Sequence, residues 1–415
     1  MNKKKIWIIN HYATNMYFNK GGRHYWFAES LIKRGYDPTV FCASTRHNSN
    51  EIIDTNGNLF VIKNSGNIPF VVVNTPRYLG NGKKRVMNMI SFFINLFPTA
   101  KRLVKENCKP DVIIASSVHP LTLVAGIRIA KKIGVPCICE VRDLWPESIV
   151  AYGSLKRNSL LAKALYFGEK WIYKNADSII MTWEGGSQYI KDQGWDKQID
   201  LKKVRHISNG VIIDSFDKNS QEKRFVDQNL DDKSYKNLVY AGSIRKVNNL
   251  GLLLDVAKII QKNDQKIRFL IFGSGDEKEM LEKRCKEEDI NNVIFKGQVE
   301  KMMIPSILKK SYANILHNSS TTLDKYGQSQ NKLFEYLAAG RCVIQTYTTG
   351  YSILEKYKCG VSASKQSAEE VSNIILKVCS NYDKVEQMGQ NARKAAYEFD
   401  FNVLTDKLID LIESV

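Results

Sequence analysis

The hydrophobic positions of the chain fall into short, β-branched runs separated by longer stretches with helical spacing. Runs at 6–10 and 39–43 flank a predicted helix that ends near Arg34 and is entered from a loop (11–20) through Gly21-Gly22. Runs at 59–63 and 70–74 predict a hairpin. DVIIAS (111–116), PCICEV (136–141), 178–182 and 204–208 predict buried parallel strands, with helices over 121–133 and 160–175. After a polar stretch the rhythm restarts, with strands at 238–241, 268–272, 293–296, 313–316 and 342–345 and helices over 248–262 and 277–288. A helical tail follows from 383, interrupted near 399–401. Strands alternating with helices make a doubly wound parallel sheet. The predicted class is α/β, with Rossmann-like domains at 1–212 and 237–396, a linker at 213–236, and a C-terminal helix at 397–415 returning to the first domain. Sheets of this kind take ligands at the carboxyl ends of their strands, so the two domains are expected to face each other across a cleft.

One stretch carries more chemistry than the rest. In YGQSQNKLFEYLAAGRCVI (326–344), Leu333 and Leu337 are four apart, as are Phe334 and Ala338, so one side of a short helix packs inward. Asn331 and Glu335 share another side, with Lys332 beside them. Ser329 is the expected N-cap, and Gly340 the left-handed residue that ends the helix. A loop running into a helix N-terminus offers N–H groups to an anion. A carboxylate one turn further in suits a pair of ribose hydroxyls. The same spacing fits an ordinary amphipathic helix with Glu335 in solvent.

Residues 77–109 form a different surface. The segment VMNMISFFINLF (86–97), which includes Phe92 and Phe93, is apolar except for Asn88, Ser91 and Asn95 on one narrow helical face. Arg77, Lys83, Lys84 and Arg85 precede it; Lys101, Arg102, Lys105 and Lys109 follow. The run is too short to cross a bilayer. An apolar helix with basic flanks can lie in an anionic leaflet, and a buried domain helix with solvated charged ends fits the same pattern. At 415 residues two domains are expected, and the composition sets aside disordered and fibrous classes. A net charge of +18 calls for a polyanionic partner: nucleic acid, nucleoside diphosphates or acidic lipid. Eight scattered cysteines without a C-x-x-C pair read as reduced core residues of a cytoplasmic protein. The N-terminal apolar run is too short for a signal peptide.

The order of the motifs carries a family likeness. Gly21-Gly22 is followed by His119 in SSVHP, EVRDLWPES (140–148), YKNADSII (173–180), SNGVIIDSF (208–216) and YAGSIRK (240–246). FLIFGSGDEKEMLE (269–282), FKGQV (295–299) and the 326–344 stretch complete the series. Over essentially its whole length the chain resembles glycosyltransferase family 4, of the GT-B fold. The DLWPES element is similar to bacterial transferases of capsule and O-antigen synthesis, including fucosamine transferases.

The resemblance implies retaining transfer of a sugar from a nucleoside-diphosphate-sugar, with the donor mainly on the C-terminal domain and the acceptor on the N-terminal one. Glu335 would hold the ribose hydroxyls. Gly242, Arg245 and Lys246 would lie near the diphosphate, Gly273 and Gly275 near the base. Backbone amides from Gln328 to Asn331 would cap the phosphates, with Lys332 alongside, and Gly21 and Gly22 would close over the donor. His119 would hydrogen-bond the donor sugar near the reacting centre. Glu140 and Asp143 are expected to be exposed at a strand's carboxyl end, as catalytic groups or, with Arg142, as a salt-bridged turn. The sequence departs from the family twice. Gly327 stands where the family carries a carboxylate, leaving Asp324 or Gln328 to contact the sugar, and Arg245 and Lys246 follow Gly242 more closely than the family's basic pair.

A departing diphosphate needs cations or N–H dipoles. No D-x-D spacing occurs, so Arg245 or Lys246 and helix N-termini are expected to serve, with no metal and no other cofactor. The expected protein is a cytoplasmic transferase, peripheral on the inner face of the plasma membrane. It would move a sugar, from a UDP-sugar by preference, to a polyprenyl-diphosphate-linked glycan, with Lys83, Lys84, Arg85, Phe92 and Phe93 meeting the acceptor and an anionic membrane. A nucleoside-diphosphate-sugar 2-epimerase of the same fold is an alternative. A basic nucleic-acid binder is another, but it would interleave aromatics with Lys and Arg on an exposed face. Here the largest basic cluster flanks an apolar helix, so no nucleic-acid partner is expected.

Overall fold

A computed structural model describes residues 3–80, 82–117 and 119–415; Val118, inside SSVHP, lies outside them. The chain divides into two compact units, one of Met1–Ser208 with Leu404–Val415, the other of Asn209–Val403. The first is built on an eight-stranded sheet of β1 (Lys5–Ile9), β2 (Asp37–Ala43), β3 (Phe60–Ser65), β4 (Ile68–Val73), β5 (Val112–Ser116), β6 (Cys137–Val141), β7 (Ser178–Met181) and β8 (Val204–His206). Their order is β3-β4-β2-β1-β5-β6-β7-β8, parallel except for the β3–β4 hairpin at one edge. Strands β5 and β6 are buried at every position, which is why β5 opens on a β-branched run, while β6 carries cysteines and the buried Glu140. Helix Pro120–Ile133 lies so close to β5 that a Cβ at Gly126 would fall 2.4 Å from that of Ala115.

The second unit holds β9 (Lys236–Ala241), β10 (Ile267–Phe272), β11 (Val293–Gly297), β12 (Ala313–Leu316), β13 (Cys342–Gln345) and β14 (Gly360–Ser362), all parallel, in the order β11-β10-β9-β12-β13-β14. Both orders are those of doubly wound, Rossmann-like sheets. Each reverses direction once, between β1 and β5 in the first unit and between β9 and β12 in the second, and that reversal is where such sheets place ligands.

Three local expectations are corrected. The loop over 11–20 contains a short helix, Thr14–Asn19. The stretch 213–236 is no linker: it folds into helices Ile213–Glu222 and Gln228–Asp231 of the second unit. Its polar composition misled because few residues anchor it apolarly, Ile213, Phe216, Leu230 and the half-buried Phe225, while Asp217 pairs with Lys309 and Arg393. Strand β14, of three half-buried residues, is too short to show in a hydrophobic pattern. Residues 404–415 belong to the first unit, where Asp406 pairs with Arg34 at 2.7 Å and Lys4 donates to the Ile412 carbonyl.

Candidate active site

In the second unit the loop after β9 carries the glycines of interest. The Gly242 amide donates to Phe272 O, and that of Ile244 to Ser274 O. A Cβ on Gly273 would sit 1.8 Å from the Gly242 carbonyl oxygen, and one on Gly275 2.0 Å from that of Ile244. Close packing of two loops therefore already accounts for both glycines. It also holds Arg245 and Lys246 outward at the end of β9, exposed, their side chains with no hydrogen bond or ion pair among the described residues.

Helix Asn331–Ala338 buries Leu333, Phe334, Tyr336, Leu337 and Ala338, as its spacing predicts, and Gly340 takes φ +66° just beyond it. The N-cap is Gln330 rather than Ser329, whose hydroxyl instead accepts from the Asn209 amide at 2.7 Å. No side chain caps this helix, so its first amides remain open to a ligand. Tyr336 ties the helix to β9, its hydroxyl accepting from the Ala241 amide at 3.0 Å. The Glu335 carboxyl sits recessed with no hydrogen-bond partner among the described residues; burial pushes it up, opposed by Lys301. An unpaired carboxylate in such a place is the mark of a site rather than of a scaffold. Lys332 donates to His317 O at 2.9 Å, and burial lowers its ammonium to about 8.

The two candidates for the missing carboxylate are already engaged. Gln328 is buried, its amide donating to Gln345 Oε1 at 2.5 Å and its oxygen accepting from the Tyr347 hydroxyl at 2.9 Å, so only its backbone is available to a ligand. Asp324 accepts from the Thr321 amide and the Ser320 hydroxyl in a capping box. A recess of about 590 Å³ lies alongside, lined by Asp324, Lys325, Tyr347 and Gly350 among others.

In the first unit His119 is the N-cap of Pro120–Ile133 and only 2% exposed. Its Nε2 lies 3.1 Å from Nδ1 of His11, and His11 Nε2 lies 2.7 Å from Asn88 Oδ1. Burial lowers His119 to about 4, and His11 well below its ordinary value, so both are neutral. Glu140 is the main correction. Instead of being exposed at the end of β6 it is buried between Arg23 and His24, each 2.7 Å away, and accepts from Ser116 Oγ at 2.7 Å. Burial pushes its carboxyl up, but Arg23 and His24 more than offset this and hold it well below the usual range. With three hydrogen bonds already on its two oxygens, it anchors helix Arg23–Lys33 to the sheet, and no ion pair with Arg142 forms among the described residues. Asp143 does reach the surface. Gly22, at φ +112°, enters helix Arg23–Lys33, preceded by Gly21. Of the DLWPES residues, Glu147 takes two bonds from Arg157 and one from Tyr166.

Helix Lys83–Lys105 is turned the opposite way from a simple buried helix. Its polar stripe points inward: Asn88 is buried, and Asn95 donates to Asn74 O at 2.8 Å. Val86, Met87, Ile90 and Ile94 are 38–59% exposed, with Lys83 and Lys84 also in solvent. Phe92 is corrected, being fully buried, while Phe93 lies half-buried against Phe97. Arg85 is engaged inside the unit, donating to the Tyr12 hydroxyl at 2.8 Å. A second apolar stripe went unpredicted: Leu160 (85% exposed), Leu161 and Phe167 on helix Leu160–Asn175. Both helices pack against Pro120–Ile133. No helix among the described residues is long and apolar enough to cross a membrane.

Two family models cover the chain in succession, Glycosyltransferase Family 4 over residues 25–215 and Glycosyl transferases group 1 over 220–395. The chain belongs to glycosyltransferase family 4. Among its relatives is an uncharacterised glycosyltransferase of Methanocaldococcus jannaschii, 23% identical over 239 residues, 56% of this chain and 57% of the relative. A poly(ribitol-phosphate) alpha-N-acetylglucosaminyltransferase of Staphylococcus aureus is 22% identical over 253 residues, 59% of this chain and 46% of the relative. The match thus spans about half the length of these curated relatives. Anabaena HepE, solved in complex with UDP, superimposes with a TM-score of 0.70 at 13% identity, over 99% of this chain and 100% of that one, so the fold is GT-B. The motifs left His11, Asn88, His317 and Tyr347 unmarked as site residues. His11 alone had a sequence signal, because it directly follows the first strand, whose carboxyl end borders the ligand position of such a sheet.

Proposed function

We propose that the chain moves a sugar from a nucleoside-diphosphate-sugar, with uridine as the favoured base, onto a polyprenyl-diphosphate-linked glycan of capsule or O-antigen type, with retention and without a metal. The observation that carries this reading is the second unit's reversal point. There an unpaired carboxylate, Glu335, stands one turn inside an uncapped helix N-terminus, with Lys332 behind it and unpartnered Arg245 and Lys246 at the end of β9. A carboxylate there accepts from two ribose hydroxyls. The cations and first-turn amides stabilise the charge growing on the leaving diphosphate, the part a metal plays elsewhere. His119 hydrogen-bonds the donor sugar. The UDP complex of HepE and the N-acetylglucosaminyl transfer named for the Staphylococcus relative support a UDP-sugar donor.

The outward apolar stripe of Lys83–Lys105, flanked by Lys83 and Lys84, and the second stripe on Leu160–Asn175 support peripheral docking on an anionic membrane. The primary test is a thermal-shift screen of nucleoside diphosphates and their sugars, followed by product analysis with and without a lipid-diphosphate saccharide. UDP stabilisation and an acceptor-dependent product whose anomeric configuration matches the donor are expected. No stabilisation by any nucleotide, or conversion of the sugar without acceptor, would overturn the reading. Lys83→Glu with Lys84→Glu is expected to reduce co-sedimentation with anionic vesicles, and unchanged partitioning would remove the membrane part.

A further inference from the structure

A chain of buried polar groups runs from helix Lys83–Lys105 to His119, and its hydrogen-bond directions can be worked out link by link. Asn88 Nδ2 lies 2.6 Å from Pro76 O and 2.8 Å from Thr45 Oγ1. A carbonyl oxygen only accepts, so that atom is the amide nitrogen, and Oδ1 is the atom facing His11. His11 Nε2, 2.7 Å from Asn88 Oδ1, must then carry the proton, leaving His11 Nδ1 as a lone pair. His119 Nε2, 3.1 Å from that lone pair, must in turn carry a proton and donate it. What remains is His119 Nδ1, a bare acceptor. It is buried and has no hydrogen-bond partner among the described residues.

A buried imidazole lone pair left unfilled is costly unless something fills it. We propose that Asn88 and His11 are positioning residues that hold His119 as its Nε2–H tautomer, so that Nδ1 accepts a hydrogen bond from a hydroxyl of the donor sugar. This rests on the reading that His119 meets that sugar. The relay requires both imidazoles to be neutral, since a protonated ring would donate from both nitrogens and break the direction at that link. Burial and the nearby Arg85 guanidinium keep them so. The arrangement also explains why the polar stripe of Lys83–Lys105 faces inward: Asn88 is needed as the fixed end of the relay.

The experiment uses the full chain with 15N-labelled histidine, whose six imidazoles are few enough to resolve in long-range proton–nitrogen spectra. The His119 signals are identified by their loss in His119→Gln. His119 and His11 are both expected to show a protonated Nε2 and a bare Nδ1. His11→Phe keeps a ring but removes the acceptor; it is expected to let His119 populate both tautomers and to lower kcat roughly tenfold with little change in donor KM. His11→Asn returns an acceptor oxygen near the former Nδ1 and is expected to restore much of the loss. A proton on His119 Nδ1 in the wild-type chain would overturn the proposal, and that measurement stands even where a His11 variant fails to fold. So would an unchanged tautomer in folded His11→Phe. The underlying reading fails separately: full turnover by His119→Ala would show that His119 does not meet the sugar, whatever its tautomer.

Discussion

Each of the two Rossmann-like units buries a histidine where its sheet reverses direction, His119 after β5 and His317 after β12, and the two differ in one atom's surroundings. Both are almost inaccessible, and burial lowers both to about 4, so both are neutral. His317 donates from Nε2 to Asn249 O at 2.9 Å and accepts at Nδ1 from the Thr346 hydroxyl at 2.6 Å. His119 donates from Nε2 to His11, and its Nδ1 meets nothing among the described residues. With the same residue, charge state and topological place, one imidazole is fully consumed by the fold and the other keeps a lone pair in reserve. Around His317 the chemistry passes instead to unpaired charges, Glu335, Arg245 and Lys246. One unit is equipped to orient a hydroxyl, the other to hold an anion and a diol.

The largest effect expected belongs to a paired group. Glu140→Gln leaves Arg23 buried without its counter-charge and should cost about 3–5 kcal/mol in urea unfolding, with turnover of the folded fraction little changed. Loss of turnover without loss of stability would return Glu140 to the chemistry and blur the contrast between paired and unpaired groups.

Next is the acid response of His317. Its pKa is about 4 folded and 6.5 in the unfolded reference, so between those values the unfolded chain binds more protons. Stability is therefore full above about pH 6.5 and declines as pH falls towards about 4, by about 3 kcal/mol for this group. Denaturation curves of His317→Gln should lack that share of the decline; an identical acid limb would mean the buried imidazole is not neutral.

His119→Ala should lower turnover by roughly a hundredfold while circular dichroism and nucleotide binding hold. A destabilised but active His119→Ala would make the two histidines equivalent after all. Glu335→Ala should weaken uridine diphosphate binding by roughly ten- to a hundredfold, the worth of charge-assisted bonds to a diol; calorimetric titration decides it, and unaltered affinity would move the ribose elsewhere. Smallest are Arg245→Ala and Lys246→Ala, each expected to weaken the nucleotide severalfold and more so at low salt, because exposed cations are screened. An effect independent of ionic strength would place these groups out of the diphosphate's field.

Much of this was legible before any coordinates. The β-branched runs, the restart after the polar stretch and the spacing of Leu333, Phe334 and Leu337 depend only on local periodicity, and local periodicity is written in the chain. The linker at 213–236 and the exposed Glu140 failed for one reason: both hinge on polar contacts with residues far away in sequence, ion pairs to Lys309 and Arg393 for the first, an ion pair to Arg23 and a hydrogen bond from His24 for the second. Phe92 failed because an apolar helix with a polar stripe does not announce which side faces the core. Only when Asn88 is seen bonded to His11 and Thr45 is the inward side known.

The chain by itself therefore determined the two parallel sheets, the family and the helix that bears Glu335, because repeating local patterns and motif order encode them. Tertiary structure alone decided which polar groups are spent and which are spare. Whether a carboxylate or an imidazole keeps a free lone pair depends on partners brought together from distant parts of the chain, and no spacing rule reports that.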